Sequence, residues 1–350
     1  MQKKIRVVVV DDSTFMRKKF KTLLESDPEI EVVGEGKNGL DGLNVVKRLK
    51  PDVVTLDMDM PVMDGLTALK HIMIENPTPV IVISSMFDNG NVTFNTLRLG
   101  AADFVNKPSG AISEDIGKQK ELIIKRVKLA ADLPLEDIKR VRVRKPINNR
   151  FVNPIPQHDS LLLEHLFTIG ATVGKYTCAI KIISRFPKHF PAAVTVQTDV
   201  SPLVIPSFLD RLNEFSNLPL EALKDGLTLK HAHCYVVSSS NSVDFHRDRD
   251  GQTTVQLGSA VDKPFDQMFS SAAEAFKEKA VAILLCNPYD NDGVIGLRAI
   301  KRHHGKAISQ DIHDPERHNR CECVIHQAIK SVSQYDNHPE ALRARDECFA

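Results

Sequence analysis

The chain has 350 residues, enough for two domains of about 150 residues each. Forty-six Lys and Arg against forty-five Asp and Glu leave a net charge of +1, which excludes bulk electrostatic attraction to nucleic acid or to an anionic membrane. With 42% apolar and 26% charged residues, and no apolar run of about eighteen, the composition is that of a folded protein without membrane insertion. The basic start is followed by only a short valine run before two aspartates. That is too short for a signal-peptide core, so a cytoplasmic location is expected.

In chain order, short apolar runs at residues 5–10, 30–33, 53–56, 80–83 and 104–105 alternate with stretches of helical periodicity at 16–25, 40–49, 66–74, 92–99 and 121–130. Strands alternating with helices predict a parallel α/β sheet wound on both faces, a (βα)5 unit. Chemistry is then expected outside the carboxyl ends of the strands. Pro134, Pro146, Pro154 and Pro156 break the next stretch, and five of the seven residues 139–145 are basic, which reads as a solvated linker. A second α/β block follows, with buried-strand candidates at 166–169, 194–196, 234–237 and 281–285. Helices are expected near 178–186, 208–215 and 268–276. The expected layout is a domain at 1–128, a linker at 129–160, a second doubly wound, mostly parallel α/β domain at 161–334 and a polar tail at 335–350. The six cysteines are expected to be reduced. Cys321 and Cys323, with His318 and His326 nearby, lack the C-x₂₋₄-C spacing of a structural zinc site and read as plain thiols.

Asp11 and Asp12 directly follow the first strand and Asp57 closes the third. Carboxylates gathered at the ends of parallel strands repel one another unless a cation sits among them, and an all-oxygen set with room for water and a phosphoryl oxygen suits Mg²⁺. Ser84 closes a fourth strand and Lys107 follows a fifth. A hydroxyl and an ammonium beside a metal-bound carboxylate are the groups that hold an acyl phosphate.

With the pair Asp11-Asp12, Asp57 inside Leu56-Asp57-Met58-Asp59-Met60-Pro61-Val62-Met63-Asp64-Gly65, Ser84, and Lys107-Pro108 all in place, the first domain resembles the receiver domain of two-component response regulators. The resemblance implies that Asp57 accepts phosphate from a histidine kinase. Mg²⁺ would be held by Asp12, Asp57 and the carbonyl of Asp59, with Asp11 in support. Ser84 would bind a phosphoryl oxygen, Lys107 would pair with it, and Phe104 would act with Ser84 as the switch.

The order of domains resembles the chemotaxis methylesterase response regulators (the CheB type). Ile169-Gly170-Ala171-Thr172-Val173-Gly174-Lys175 resembles that family's IGASTGG turn, and Val194-Thr195-Val196-Gln197-Thr198 its strand ending in VQH. Residues 269–274, 290–297 and 307–311 resemble its FxSAAE, GxDG and AxAQD segments. Hydrolysis of a glutamyl methyl ester needs a nucleophile, a base and an acid that orients the base. The resemblance puts Thr172 at the Ser position, Thr198 at the His position and Asp292 at the Asp position of that triad. A Thr at 198 accepts no proton near neutral pH, Lys175 replaces the second glycine of the turn, and the oxyanion segment is altered around Pro288-Tyr289-Asp290. His165, His189, His231, His233, His303 and His304 match none of the family's positions.

Two readings stand. One is a phosphorylation-controlled regulator, in chemotaxis-type signalling, whose second domain is inactive and acts by binding. The other is a divergent protein-glutamate methylesterase or deamidase acting on the cytoplasmic regions of chemoreceptors. No helix-turn-helix pattern supports a DNA-binding regulator.

Overall fold

The computed structural model describes residues 3–84, 90–107, 115–133, 163–200, 202, 205–285 and 291–309. Most of the 129–160 linker, the Pro288-Tyr289-Asp290 segment, Cys321, Cys323, His318, His326 and the 335–350 tail lie outside them. The chain divides into two compact units.

The first unit runs β1 (Ile5–Val10), α1 (Thr14–Leu24), β2 (Ile30–Gly36), α2 (Gly39–Leu49), β3 (Val53–Asp57), α3 (Gly65–Glu75), β4 (Val80–Ser84), α4 (Gly90–Leu99), β5 (Asp103–Asn106) and α5 (Asp115–Ala131). The strands form one parallel sheet in the order β2-β1-β3-β4-β5. Its strands are short apolar runs because both faces are covered. Val7 and Val9 point into a core shared with Phe20 and Leu24 of α1 and Ile123 and Val127 of α5. Val8 and Val10 point the other way, toward α2. Three helices begin at caps readable in the sequence: Ser13 accepts from Met16 N, Asn38 from Asp41 N and Asp64 from Thr67 N.

The second unit runs β6 (His165–Ala171), α6 (Tyr176–Ile183), β7 (Ala192–Thr198), α7 (Ile205–Leu212), β8 (Leu220–Ala222), β9 (His233–Ser238), β10 (Ser242–Arg247), β11 (Thr253–Gly258), α8 (Pro264–Phe276), β12 (Ala280–Leu285), α9 (Val294–Arg302) and β13 (Lys306–Ser309). A six-stranded parallel sheet has the order β13-β12-β6-β7-β9-β8, so strand order reverses at β6. One face packs α8 through Phe265, Met268, Phe269 and Phe276, and the same core takes in Val243, Phe245 and Val255 of the β10–β11 hairpin. Another buried group holds Phe167, Phe186 and Phe190 with ring centroids 4.7 to 5.9 Å apart.

The expected strands are present with equal or slightly wider bounds, the expected helices are present with α1, α6 and α7 ending one to three residues earlier than expected, and both units are α/β. The antiparallel hairpin, β8 and α9 are additions. Val243, Phe245 and Val255 alternate with polar residues around Asp250-Gly251, a short and mostly polar strand signal. The expectation of uniformly reduced cysteines fails at Cys178, which is disulfide-bonded, whereas Cys234 is a free, buried thiol.

Thr55 lies in the centre of β3, buried, and its hydroxyl has no hydrogen-bond partner. A buried hydroxyl without a partner costs free energy that an isosteric methyl avoids. Thr55→Val should therefore leave stability unchanged or raise it by up to about 1 kcal/mol in denaturant titrations.

Candidate functional site

At the carboxyl edge of the first sheet, oxygens of Asp11, Asp12 and Asp57 lie within 4.8 Å of one another. Asp11 and Asp57 are buried and Asp12 is exposed. β1 and β3 are adjacent in the sheet, so the sequence brings these carboxylates together simply by ending each strand with Asp. Lys107 closes the cluster: its Nζ donates to Asp57 Oδ2 at 2.7 Å and lies 3.0 Å from Asp11 Oδ2. The β4–β5 register carries Lys107 there, and its backbone N–H donates to the Ser84 carbonyl at 2.9 Å. Asp57 Oδ1 accepts the Met58 N–H at 2.7 Å. Asp11 Oδ1 accepts the Ser13 N–H at 2.9 Å.

Burial pushes the Asp57 carboxyl above its ordinary range, and the Asp11 charge adds to this while Lys107 opposes it. Burial alone would lower Lys107, but its bonds to Asp57 and Asp11 outweigh burial and raise it, so the side chain stays cationic. The arrangement fits a divalent cation. Asp11 Oδ2 is buried and is met by the Lys107 ammonium at 3.0 Å but by no other donor among the described residues, and Asp12 faces solvent. Hard oxygen donors with open positions suit Mg²⁺. The carboxylate of Asp59 is exposed and outside this cluster. Ser84 and Phe104 are buried at the end of β4 and in β5.

The loop after Asp57 is tightly built. A Cβ on Gly65 would fall 2.1 Å from the Asp57 carbonyl oxygen, so only glycine lets α3 start this close to the acceptor strand. Val62 has φ +70° in a three-residue turn closed by Met63 N to Pro61 O at 2.8 Å, a strained conformation for a β-branched residue.

In the second unit, Thr172 follows β6, Thr198 ends β7 and Asp292 follows β12. Ala171 pairs with both Leu285 and Thr198, so all three residues stand at the carboxyl edge, beside the point of strand-order reversal. Thr172 donates its N–H to the Leu285 carbonyl at 3.0 Å. The Thr198 hydroxyl is buried with no hydrogen bond.

The Asp292 carboxylate is spent on backbone. Oδ2 accepts Phe265 N at 3.1 Å and Oδ1 accepts Asp266 N at 2.9 Å, which caps the start of α8. Asp266 Oδ1 in turn accepts Gly296 N at 2.8 Å, capping α9. The residues that formally precede these helices, Lys263 and Gly293, make no side-chain cap bond. A Cβ on Gly296 would lie 2.5 Å from Phe269 Cβ, which shows how closely the two helices approach.

His165, His189, His231, His233, His303 and His304, which match none of the family's positions, stand at the opposite edge of this sheet, where the strands start. His165 opens β6 and His233 opens β9, with His231 just before it. His189 precedes β7, and His303 and His304 precede β13. Strand β7, at about 3.3 Å per residue, is roughly 20 Å long, far beyond proton-transfer reach.

Residues 7–114 match the response regulator receiver domain family, and residues 167–336 match the CheB methylesterase family. A curated relative from Pyrococcus abyssi, named protein-glutamate methylesterase/protein-glutamine glutaminase, is 34% identical over 320 residues, 88% of this chain and 84% of its own length. The chain belongs to the CheB family of protein-glutamate methylesterases. A second CheB-family relative of the same name, from Halalkalibacterium halodurans, is 33% identical over 89% of each chain. The crystal structure of the response regulator domain of Thermotoga maritima CheB is 41% identical and covers 38% of this chain and 99% of its own, with a TM-score of 0.35. Within the CheB pattern, sequence reading missed Asp266, because an isolated aspartate in a first helical turn looks like an ordinary dipole partner.

Two outcomes follow from these geometries. A carboxyl whose folded pKa is raised contributes stability when protonated, and that contribution is lost as pH rises above the ordinary carboxylate range. Asp57→Asn, with metal chelated, should therefore raise the melting temperature near neutral pH, with the gain fading on acidification. Asp292→Ala leaves two buried N–H groups without acceptors and should cost about 2 kcal/mol or more in denaturant unfolding, with Asp292→Asn costing less.

Proposed function

We propose that this chain is a response regulator whose Asp57 accepts a phosphoryl group from the phosphohistidine of a chemotaxis-type histidine kinase. The observation that carries this is the three-carboxylate cluster bridged by Lys107. In the step, an Asp57 oxygen bonds to phosphorus as the phosphorus–nitrogen bond breaks, and the imidazole keeps the electron pair. Lys107 exchanges its contact with Asp57 for one with a phosphoryl oxygen, and the Ser84 hydroxyl donates to another. Asp12, Asp57 and the Asp59 carbonyl, with Asp11 in support, would hold Mg²⁺, which would supply charge neutralisation at the phosphoryl oxygens. Phe104 then reports the change at Ser84. The layout proposed is a receiver at 1–128, a linker at 129–160 and the effector domain at 161–334, with a tail at 335–350.

The effector domain, in this reading, acts by binding the cytoplasmic regions of chemoreceptors and is silent toward glutamyl methyl esters. Two features support silence: a hydroxyl stands where a base is needed, and the six histidines lie at the far edge of the sheet. An unassisted hydroxyl loses on the order of 10⁴–10⁶ in rate. A second reading, active hydrolysis or deamidation with Thr172 as nucleophile, is favoured by the names of the relatives.

The deciding assay is methanol release from methylated chemoreceptor membranes by the full chain, with and without acetyl phosphate. Release at background level by wild type and by Thr172→Ser is the expected result, alongside Mg²⁺-dependent beryllofluoride binding that Asp57→Ala abolishes. Methanol release that disappears in Thr172→Ala would establish the hydrolase reading. Equal beryllofluoride binding by Asp57→Ala would remove the acceptor assignment.

A further inference from the structure

Arg17, one turn into α1, makes four hydrogen bonds at the rim of the acidic cluster and has no part in the phosphoryl-transfer step. Its Nη1 donates to the carbonyl oxygens of Asp11 at 2.8 Å and Asp12 at 3.1 Å. Its Nη2 donates to Thr14 Oγ1 at 3.0 Å, and its Nε donates to Glu35 Oε2, near the end of β2, at 3.2 Å. The Arg17 side chain is 13% exposed and its bond to the Asp11 carbonyl is partly buried, while the bonds to Asp12, Thr14 and Glu35 lie at the surface; four bonds from one planar group hold the side chain in a single arrangement.

The two carbonyls belong to the residues whose carboxylates make up two of the three members of the cluster. A planar guanidinium that holds both carbonyls at once fixes the backbone from which the Asp11 and Asp12 side chains project. Glu35 fixes the guanidinium from the neighbouring strand. Metal sites depend on such outer contacts, because ligand oxygens must already be oriented when the ion loses water. We propose that Arg17, oriented by Glu35, is a positioning residue for the divalent-cation site: it sets the Asp11-Asp12 loop in its ion-binding conformation without touching the ion.

Charge and positioning make opposite predictions, which makes the idea testable. Arg17 is a cation beside a cation site, so removing its charge alone would tighten binding of a divalent ion. Losing its grip on the two carbonyls would weaken it. The proposal rests on the reading of the carboxylate cluster as a divalent-metal site, and one experiment separates the two. The full chain is titrated with Mn²⁺, with free ion read by electron paramagnetic resonance, and Mg²⁺ is then added as competitor.

Wild type should bind Mn²⁺ and release it to Mg²⁺. Arg17→Ala should bind about tenfold or more weakly despite its more negative charge. Arg17→Lys should fall between, because an ammonium cannot span two carbonyls and Glu35 together. Glu35→Gln should also weaken binding. Lys128→Ala, which removes a surface contact to Asp27 and Glu29 elsewhere on this unit, should leave Mn²⁺ affinity at the wild-type value and controls for general loss of stability. Arg17→Ala binding Mn²⁺ as tightly as wild type or more so would overturn the positioning role. No Mn²⁺ binding by wild type would sink the metal reading itself. If circular dichroism shows Arg17→Ala unfolded, Arg17→Lys decides: wild-type affinity in that variant overturns the proposal.

Discussion

Two buried carboxylates at the ends of neighbouring strands cannot both remain ionised without a counter-charge, and in the first unit Lys107 supplies it. Much of the local architecture serves that contact. The register of β5 against β4 delivers the lysine to the edge where β1 and β3 end. Gly65 lets α3 begin directly against the acceptor strand, and the Val62 turn is held in a conformation its side chain resists. The pocket is thus charged, sheltered and under strain before any phosphoryl group arrives, and an acyl phosphate would replace one tightly held set of contacts by another.

The second unit applies the same rule of parallel sheets, with loops of one kind at one edge and strand starts at the other, to a different set of side chains. Thr172, Thr198 and Asp292 occupy the edge where a triad would stand. Parallel strand polarity puts His165, His189, His231, His233, His303 and His304 at the opposite edge. The carboxylate at 292 meanwhile has both oxygens engaged by the backbone of α8.

Much of this was readable from the amino-acid order. The apolar runs gave both sheets because fully covered parallel strands are continuous stretches of Val, Ile and Leu. Asp11, Asp12, Asp57, Ser84 and Lys107 could be found as the residues that end those runs. The hairpin escaped because its outer face is polar and its strands carry His246, Arg247 and Asp244 among the apolar positions. Arg17 and Asp266 escaped for another reason. Both act on main-chain groups, whose positions exist only once the chain has folded, so no residue-type pattern announces them.

The crossed capping of α8 and α9 also shapes how the second unit comes apart. Asp292, just ahead of α9, accepts the N–H groups that open α8, and Asp266 in the first turn of α8 accepts the Gly296 N–H in the first turn of α9, so the two starts are tied to one another. Fraying, which normally starts independently at each helix end, becomes a joint event here. Amide protons at the two starts should then exchange with similar protection, as one cooperative opening. An aspartate placed in such a lock has a folding role whatever else it does. Its survival at a position where relatives are named as hydrolases therefore says as much about the mechanics of two helices as about chemistry.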